Sequence, residues 1–219
     1  MKHFLIVLAA LLAAAMADAQ RDKKAKHPHI GYAYPAGGQQ GAVFSATVGG
    51  QHLQGATNVF VNGEGIKVEI VRYSVRYEPR RLRNMFNNLK NTEAMLEGKE
   101  GKELKKIERR LANVKKQISL LEVPEGVDPF DREAVVKLYR IDNKEQFNPQ
   151  IAERLRVRVT IDPKAAPGEH ELRVNTSAGL SNPIYFQVGS LGEVGEAEPN
   201  DDHMAPGLQQ VPVPCIING

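Results

Sequence analysis

The stretch LRVRVTI, residues 155–161, alternates apolar and polar side chains at every second position. Leu155, Val157, Val159 and Ile161 fall on one side of an extended chain, and the two arginines and the threonine fall on the other. A period of two is typical of a β-strand that buries one face. The stretch therefore predicts a strand in a half-buried sheet.

Six further short segments have strand character and are bounded by glycine, proline or asparagine turns. They are residues 30–34, 42–48, 57–61, 66–70, 172–174 and 184–188. Gly49-Gly50 is expected to end the second of these, and Asn62-Gly63 is a strong hairpin signal between the third and the fourth. Seven short strands separated by turns predict a mainly β fold, a β-sandwich.

A different periodicity occupies the middle of the chain. Apolar residues recur three and four positions apart, which is the spacing of a helical heptad seam. They are Leu82, Met85, Leu89, Leu96, Leu104, Ile107, Leu111, Val114, Ile118 and Leu121. Gly98 and Gly101 interrupt the seam and favour two antiparallel helices, with one continuous bent helix as the alternative. A short third helix over residues 131–141 is expected, with Asp131 as its N-cap.

The helical segment therefore divides the strands into two groups. We expect a coiled-coil hairpin at 79–145 to be inserted into the sandwich, whose halves are residues 30–78 and 146–190. A polar, basic lead-in at 20–29 has the composition of a disordered segment.

The N-terminus has the three parts of a secretory signal peptide. Lys2 and His3 precede an apolar run from residue 4 to 17, and Ala17-Asp18-Ala19 is a small-x-small cleavage site. The alternative is a retained membrane anchor, but the run is shorter than the roughly 20 residues that span a bilayer. We expect cleavage after residue 19 and no transmembrane segment in the mature chain. The protein is then exported, and it is periplasmic, cell-surface or extracellular.

Cysteine content and motifs argue against catalysis. Cys215 is the single cysteine, so no internal disulfide can form. Its apolar neighbours Val213, Ile216 and Ile217 favour a buried structural thiol over a nucleophile. The sequence contains no HExxH, GxSxG or P-loop pattern. We therefore expect no enzymatic activity in this chain.

Two long stretches carry a family resemblance. YPAGGQQGAVFSATVGGQHLQGATNVFVNGEGIKVEI resembles the opening of an IPT/TIG-type immunoglobulin-like domain, and RVTIDPKAAPGEHELRVNTSAGLSNPIYFQVG resembles its close. The shared features are a proline-glycine start, a strand ending in Gly-Gly, and strands separated by glycine turns. The resemblance implies an immunoglobulin-like sandwich of about seven strands. The long helical insertion departs from the plain family pattern.

The final segment, residues 191–219, reads as a linker followed by a second resemblance. EAEPNDDHMAPGLQQVPVPCIING is similar to the start of the bacterial pre-peptidase C-terminal domain, of which it covers about the first quarter. Such domains are non-catalytic modules, and some bind calcium near this opening. We expect residues 196–219 to be a flexible tail, in which 211–217 lack strand partners.

Four residues in that opening carry oxygen donors that suit Ca²⁺. They are Glu198, Asn200, Asp201 and Asp202. Four side chains do not complete the 6–8 oxygens that Ca²⁺ takes, so they indicate an incomplete calcium site or a solvated acidic linker. No cofactor is expected in this chain, and calcium is expected only in a longer form.

The helical segment also carries a strong positive charge. Residues 80–122 contain twelve basic and six acidic side chains, whereas the whole chain has a formal charge of only +3. The candidate binding residues stand off the apolar seam and are Lys105, Lys106, Arg109, Arg110, Lys115 and Lys116. Such a face suits an anionic polymer, or it is a solvated coiled-coil face. Nucleic acid is not expected, because the chain is exported and the stretch has little aromatic interleaving.

Two functional classes follow from these features. The first is an exported, non-catalytic immunoglobulin-like module for interaction or surface display, with a protein or a cell-surface polysaccharide as its partner. The second is the N-terminal accessory region of a larger secreted enzyme of the peptidase type. The heptad seam would also permit self-association, because it can pair between chains as well as within one.

Overall fold

The computed structural model describes residues 26–139, 147–197 and 209–218. Within these ranges the chain is mainly β, with several sheets and three α-helices. The strands are β1 (His29–Tyr34), β2 (Gly37–Gln39), β3 (Val43–Gln51), β4 (Asn58–Val61), β5 (Ile66–Val75), β6 (Glu153–Ile161), β7 (Gly168–Thr176), β8 (Gly179–Leu180), β9 (Ile184–Gly189), β10 (Gly192–Gly195) and β11 (Cys215–Asn218). The helices are α1 (Pro79–Ala94), α2 (Gly101–Ser119) and α3 (Arg132–Leu138), and a 3-10 turn, Pro149–Ile151, precedes β6.

Strand β6 lies inside a four-stranded sheet with the order β1-β3-β6-β5, and all of its neighbouring pairs are antiparallel. A second sheet has the order β2-β9-β7-β4, with β8 paired to β7. Strands β10 and β11 form a separate parallel pair. Residues 155–161 belong to β6 in the first sheet, where they are hydrogen-bonded to β3 on one side and to β5 on the other.

One apolar cluster receives side chains from both large sheets. The four apolar residues of 155–161 are at most 1% exposed, which confirms the predicted burial of one face of this strand. Leu172, Val174, Phe186 and Val188 enter the same cluster from the second sheet. The alternation in sequence therefore supplies one wall of the main core.

The helices have an apolar cluster of their own. It contains Leu82, Met85, Phe86, Val114, Ile118, Leu121, Val123, Val135 and Tyr139. Strands β5 and β6, which precede and follow the helices, pair directly, and Val75 lies opposite Glu153 where the two strands meet the helical segment. The chain thus leaves the sheet at β5 and returns to the neighbouring strand.

The helical segment contains two helices here and not one continuous helix. Residues 95–100 join α1 to α2. Gly98 and Gly101 have φ values of 68° and 61°, in the left-handed region that glycine adopts most readily. A short connection between two packed helices requires an antiparallel arrangement. Asp131 caps α3 as predicted, because its Oδ1 accepts from the backbone N–H groups of Glu133 and Ala134, each at 3.0 Å.

The hairpin predicted at Asn62-Gly63 is wrong. Strand β4 pairs with β7 and β5 pairs with β6, so the turn carries the chain from one sheet to the other. Asn62 is held by β7: its backbone N–H donates to Glu171 O at 3.0 Å, and its Oδ1 accepts from Glu171 N at 2.7 Å. A local turn signal does not specify which strands then pair.

The expected strand end at Gly49-Gly50 is also wrong, because β3 continues through both residues to Gln51. The two glycines instead allow β1 to approach. A Cβ on Gly50 would lie 2.0 Å from the carbonyl oxygen of His29, and a Cβ on Gly49 would overlap the ring of Tyr32. Glycine is therefore needed at Gly50 for the close approach of the β1 backbone, and at Gly49 for the ring of Tyr32.

The C-terminal expectation needs correction as well. Residues 215–217 do have a strand partner, since β11 pairs in parallel with β10 from Gly192↔Cys215 to Gly195↔Asn218. Asn218 O also accepts from Glu196 N at 2.7 Å and from the Tyr34 hydroxyl at 2.9 Å. Cys215 was expected to be buried. It is a free cysteine, and it is only half-buried.

Several expectations concern residues outside the described ranges. The signal peptide at 1–19 and the lead-in through residue 25 belong to this group. His29, the last residue of the expected lead-in, already belongs to β1. Among the described residues, no helix combines the length and the apolar character needed to span a membrane.

Gly50→Ala should lower the free energy of unfolding by at least about 2 kcal/mol, because its new Cβ forces β1 away from β3. Gly195→Ala is the matched control, since a Cβ there meets no atom within 4 Å. Urea unfolding followed by circular dichroism measures both. Equal midpoints for the two variants would contradict the close approach of β1 and β3.

Candidate functional site

The six predicted basic residues all lie on α2, and the structure divides them into two groups. Lys105, Lys106, Arg109 and Lys116 are exposed and have no ion pair among the described residues. Arg110 and Lys115 instead reach across to α1. Arg110 Nη2 donates to Asn88 Oδ1 at 2.8 Å, and Lys115 Nζ lies 3.3 Å from Glu93 Oε1.

Helical geometry explains this division. At 3.6 residues per turn, positions 105, 109 and 116 lie on one stripe, roughly opposite the seam that packs on α1. Arg110 and Lys115 flank the seam, so their side chains reach the neighbouring helix. Lys102 was not among the predicted residues, although it falls beside the same stripe. We call the five residues Lys102, Lys105, Lys106, Arg109 and Lys116 the outer face of α2.

The acidic residues of α2 neutralise little of this outer face. Glu103 lies toward the connection between the helices, with its Oε1 3.1 Å from Nζ of Lys99. Glu108 borders the stripe on its seam side. The outer face therefore keeps an excess of positive charge exposed to solvent, which attracts anions over about a Debye length.

The apolar seam of α2 packs against α1 within the same chain. Near the β-strands, Val114 and Ile118 are buried against residues of α1, whereas Leu104, Ile107 and Leu111 near the connection are half-buried. Self-association through this seam stays a prediction. The part of the seam that is exposed enough to contact a second chain lies near residues 95–100, which join the two helices.

The four proposed calcium ligands, Glu198, Asn200, Asp201 and Asp202, lie outside the described residues. Within the described part of the chain, no group of three or more His, Cys, Asp or Glu side chains is placed to hold a metal ion.

A second basic site was not predicted. It is a pocket of about 40 Å³ on the outer face of the β1-β3-β6-β5 sheet, between the sheet and the segment that follows α2. Its walls are Thr47, Arg72, Ser74, Glu122, Val123, Arg154 and Arg156. We call it the arginine pocket. The wall residues that belong to strands lie on β3, β5 and β6. They are polar side chains on the sheet face that points away from the main core.

Strand register brings these residues together. Arg156 lies between Thr47 on β3 and Arg72 on β5, and Arg154, two residues earlier on the same face, lies opposite Ser74. The sequence places these residues as far as 109 positions apart. The one sequence signal for the pocket is the alternation of arginines on β6. This alternation does not indicate which side chains of the neighbouring strands lie beside the arginines.

Glu122 connects the pocket to the helices. Its Oε1 accepts a 2.5 Å hydrogen bond from Arg154 Nη1, and Arg72 Nη2 donates to Leu121 O at 3.1 Å.

The Tyr139 hydroxyl lies 3.1 Å from Glu122 N and 3.3 Å from Val75 O. Burial, together with the nearby Glu122 carboxylate, raises the pKa of Tyr139 to about 12. Burial also raises the pKa of Tyr32, although nearby Arg154 opposes the shift.

A second carboxylate supports the sheet beside this region. Glu153 accepts from the backbone N–H groups of His52, Leu53 and Gln54 at 2.9–3.1 Å. It also accepts from the Tyr73 hydroxyl at 2.9 Å, and burial together with this carboxylate raises the pKa of Tyr73 well above its usual range. Glu153 thus has a structural role in holding the bend after β3.

Comparison with known proteins adds no assignment: no protein-family model, no curated protein and no solved structure matches this chain.

Tyr139→Phe should lower the free energy of unfolding at pH 7 by about 1–2 kcal/mol, because the hydroxyl's buried hydrogen bonds are lost. The folded-state pKa is raised, so this contribution is complete below the ordinary tyrosine pKa of about 10. It is lost as the pH rises towards 12. The difference from the parent chain should therefore shrink above pH 10.

Denaturant unfolding between pH 7 and 11 measures this difference. Tyr185→Phe is the control, because Tyr185 is 75% exposed and should show no pH-dependent loss. A Tyr139→Phe difference that stays constant up to pH 11 would contradict the assigned role of the hydroxyl.

Proposed function

We propose that the chain is an exported, non-catalytic interaction module. In this proposal, the two large sheets form an immunoglobulin-like sandwich, and the α1–α2 hairpin is an insertion that presents a basic face to an acidic cell-surface polysaccharide. The observation that carries the proposal is the outer face of α2, whose five cations are directed away from the cluster that packs the helices.

Three features support a binding role for this face. Its positive charge is concentrated on one helix of a chain with a formal charge of only +3. The cations are held at helical spacing by a hairpin with its own apolar cluster, so they form a preorganised array. The basic side chains nearer the seam are already engaged with Asn88 and Glu93, which leaves the outer group for a ligand.

An acidic polysaccharide fits this array better than a small ligand does. The residues 102–116 extend about 21 Å along α2 at 1.5 Å per residue. A linear polymer with regularly spaced carboxylate or sulfate groups can contact several of these cations together. An exported protein would also meet such polymers at a cell surface.

A second candidate is the accessory region of a larger secreted enzyme of the peptidase type. The observation that favours it is the β10–β11 pair, which is separate from both large sheets. Strand β11 lies inside the stretch that resembles the opening of a pre-peptidase C-terminal domain, and β10 directly precedes that stretch. A reading frame that continues into a hydrolase sequence would favour this candidate.

The combined variant Lys105→Gln, Arg109→Gln and Lys116→Gln should elute from immobilised heparin at clearly lower salt than the parent chain. Three exposed contacts of roughly 0.5 kcal/mol each correspond to about a tenfold loss of affinity. The unfolding midpoint should change little, because all three side chains are exposed.

The control variant removes the same charge elsewhere, by Lys26→Gln, Lys137→Gln and Lys164→Gln. These lysines are exposed and lie outside α2. If both triple variants elute at the same reduced salt, retention depends on net charge alone and the proposed face is wrong.

A further inference from the structure

The arginine pocket places two like charges directly opposite each other. Arg72 and Arg156 are paired residues of neighbouring antiparallel strands, with side chains on the same sheet face. Like charges in such a position destabilise a sheet. Arg154 follows on the next row, so three guanidinium groups line one small pocket.

The surrounding residues compensate only part of this charge. Glu122 pairs with Arg154, and it is the single carboxylate of the pocket wall. Arg72 donates to one backbone carbonyl, which is a neutral partner. Arg156 has no ion pair among the described residues. The wall thus holds three positive charges and one negative charge.

Several hydrogen-bond donors of the wall are also unused. Arg154 Nε is buried and has no hydrogen-bond partner among the described residues. The hydroxyl groups of Thr47 and Ser74 are half-buried and make no side-chain hydrogen bond within the described part of the chain, so they are available to a ligand. A buried polar atom such as Arg154 Nε is normally paired, by protein or by a bound species. Glu122 Oε2 is likewise buried and unpaired, and it belongs to the carboxylate that pairs with Arg154.

The volume limits what can enter. A water molecule needs about 10–15 Å³ of cavity volume, and the pocket has about 40 Å³. It therefore has room for about three water-sized groups, which suits one small oxyanion. The pocket is open to solvent, because Arg72 and Arg156 are exposed, so an ion can enter it directly.

The geometry points to a binding site for a single tetrahedral oxyanion, a phosphate or a sulfate group, in the arginine pocket. Arg72 and Arg156 approach from neighbouring strands, and Arg154, fixed by Glu122, forms the third side. Thr47 and Ser74 supply hydroxyl donors to the remaining oxygens. Donors on three sides match a tetrahedral ion better than a carboxylate, which offers only two oxygens. This site is distinct from the outer face of α2 and does not rest on the function proposed for that face.

Isothermal titration calorimetry with inorganic phosphate and with inorganic sulfate tests this site, with sodium chloride holding the ionic strength constant. At least one of the two ions should bind with one-to-one stoichiometry, and the tighter one identifies the group that the pocket takes. Arg156→Gln and Arg72→Gln should each weaken binding by at least about tenfold, because each removes a charge-assisted hydrogen bond.

Arg158→Gln is the matched control. Arg158 lies two residues further along β6 on the same sheet face, opposite Glu69 and outside the pocket wall. Its variant should bind like the parent chain. The triple variant of α2 should also keep its phosphate or sulfate affinity, which separates this site from the proposed polysaccharide face.

A stability measurement distinguishes a ligand site from a structural cluster. In a chloride buffer free of phosphate and sulfate, Arg156→Gln should unfold at the same temperature as the parent chain or higher, because one of two opposed cations is removed. At the same ion concentration, the bound ion should raise the melting temperature of the parent chain more than that of the variant. Absence of binding by both ions, equally tight binding of acetate, or an equal loss in Arg158→Gln would overturn the assignment.

Discussion

The pairing of β6 with both β3 and β5 is the constraint on which the rest of the structure depends. Val75 at the end of β5 lies opposite Glu153 at the start of β6, so the sheet closes a connection of 77 residues. Closing so long a loop costs conformational entropy, although this cost grows only slowly with length. The buried side of β6 offsets it by filling the main core. The other side of β6 carries Arg154 and Arg156 of the arginine pocket.

This constraint also explains why the helices have their own apolar cluster. The chain leaves and re-enters the sheet on adjacent strands, and backbone hydrogen bonds from Val75 to Leu120 and from Glu122 to Val75 join the end of α2 to β5. The apolar seam of α2 packs against α1. The opposite side of α2 therefore faces solvent, and this side carries the cations of the outer face.

Local patterns in the sequence predicted the elements better than their partners. The alternation at 155–161, the heptad seam and the Asp131 cap depend on neighbouring residues, and the structure has each of them. Asn62-Gly63 failed as a hairpin signal because contacts with β7, a distant strand, decide where that turn leads. Gly49-Gly50 failed because the need for glycine arises from β1. The basic face of α2 follows from helical periodicity, whereas the arginine pocket requires the registers of three strands and could not be predicted.

We propose the outer face of α2 as the surface that contacts an acidic polymer. Nuclear magnetic resonance titration of the ¹⁵N-labelled chain with a short heparin oligosaccharide tests it most directly. The largest amide shifts are expected on residues 102–116 of α2, with Arg109 near their centre. Shifts confined to the two large sheets, or no shifts at all, would contradict it.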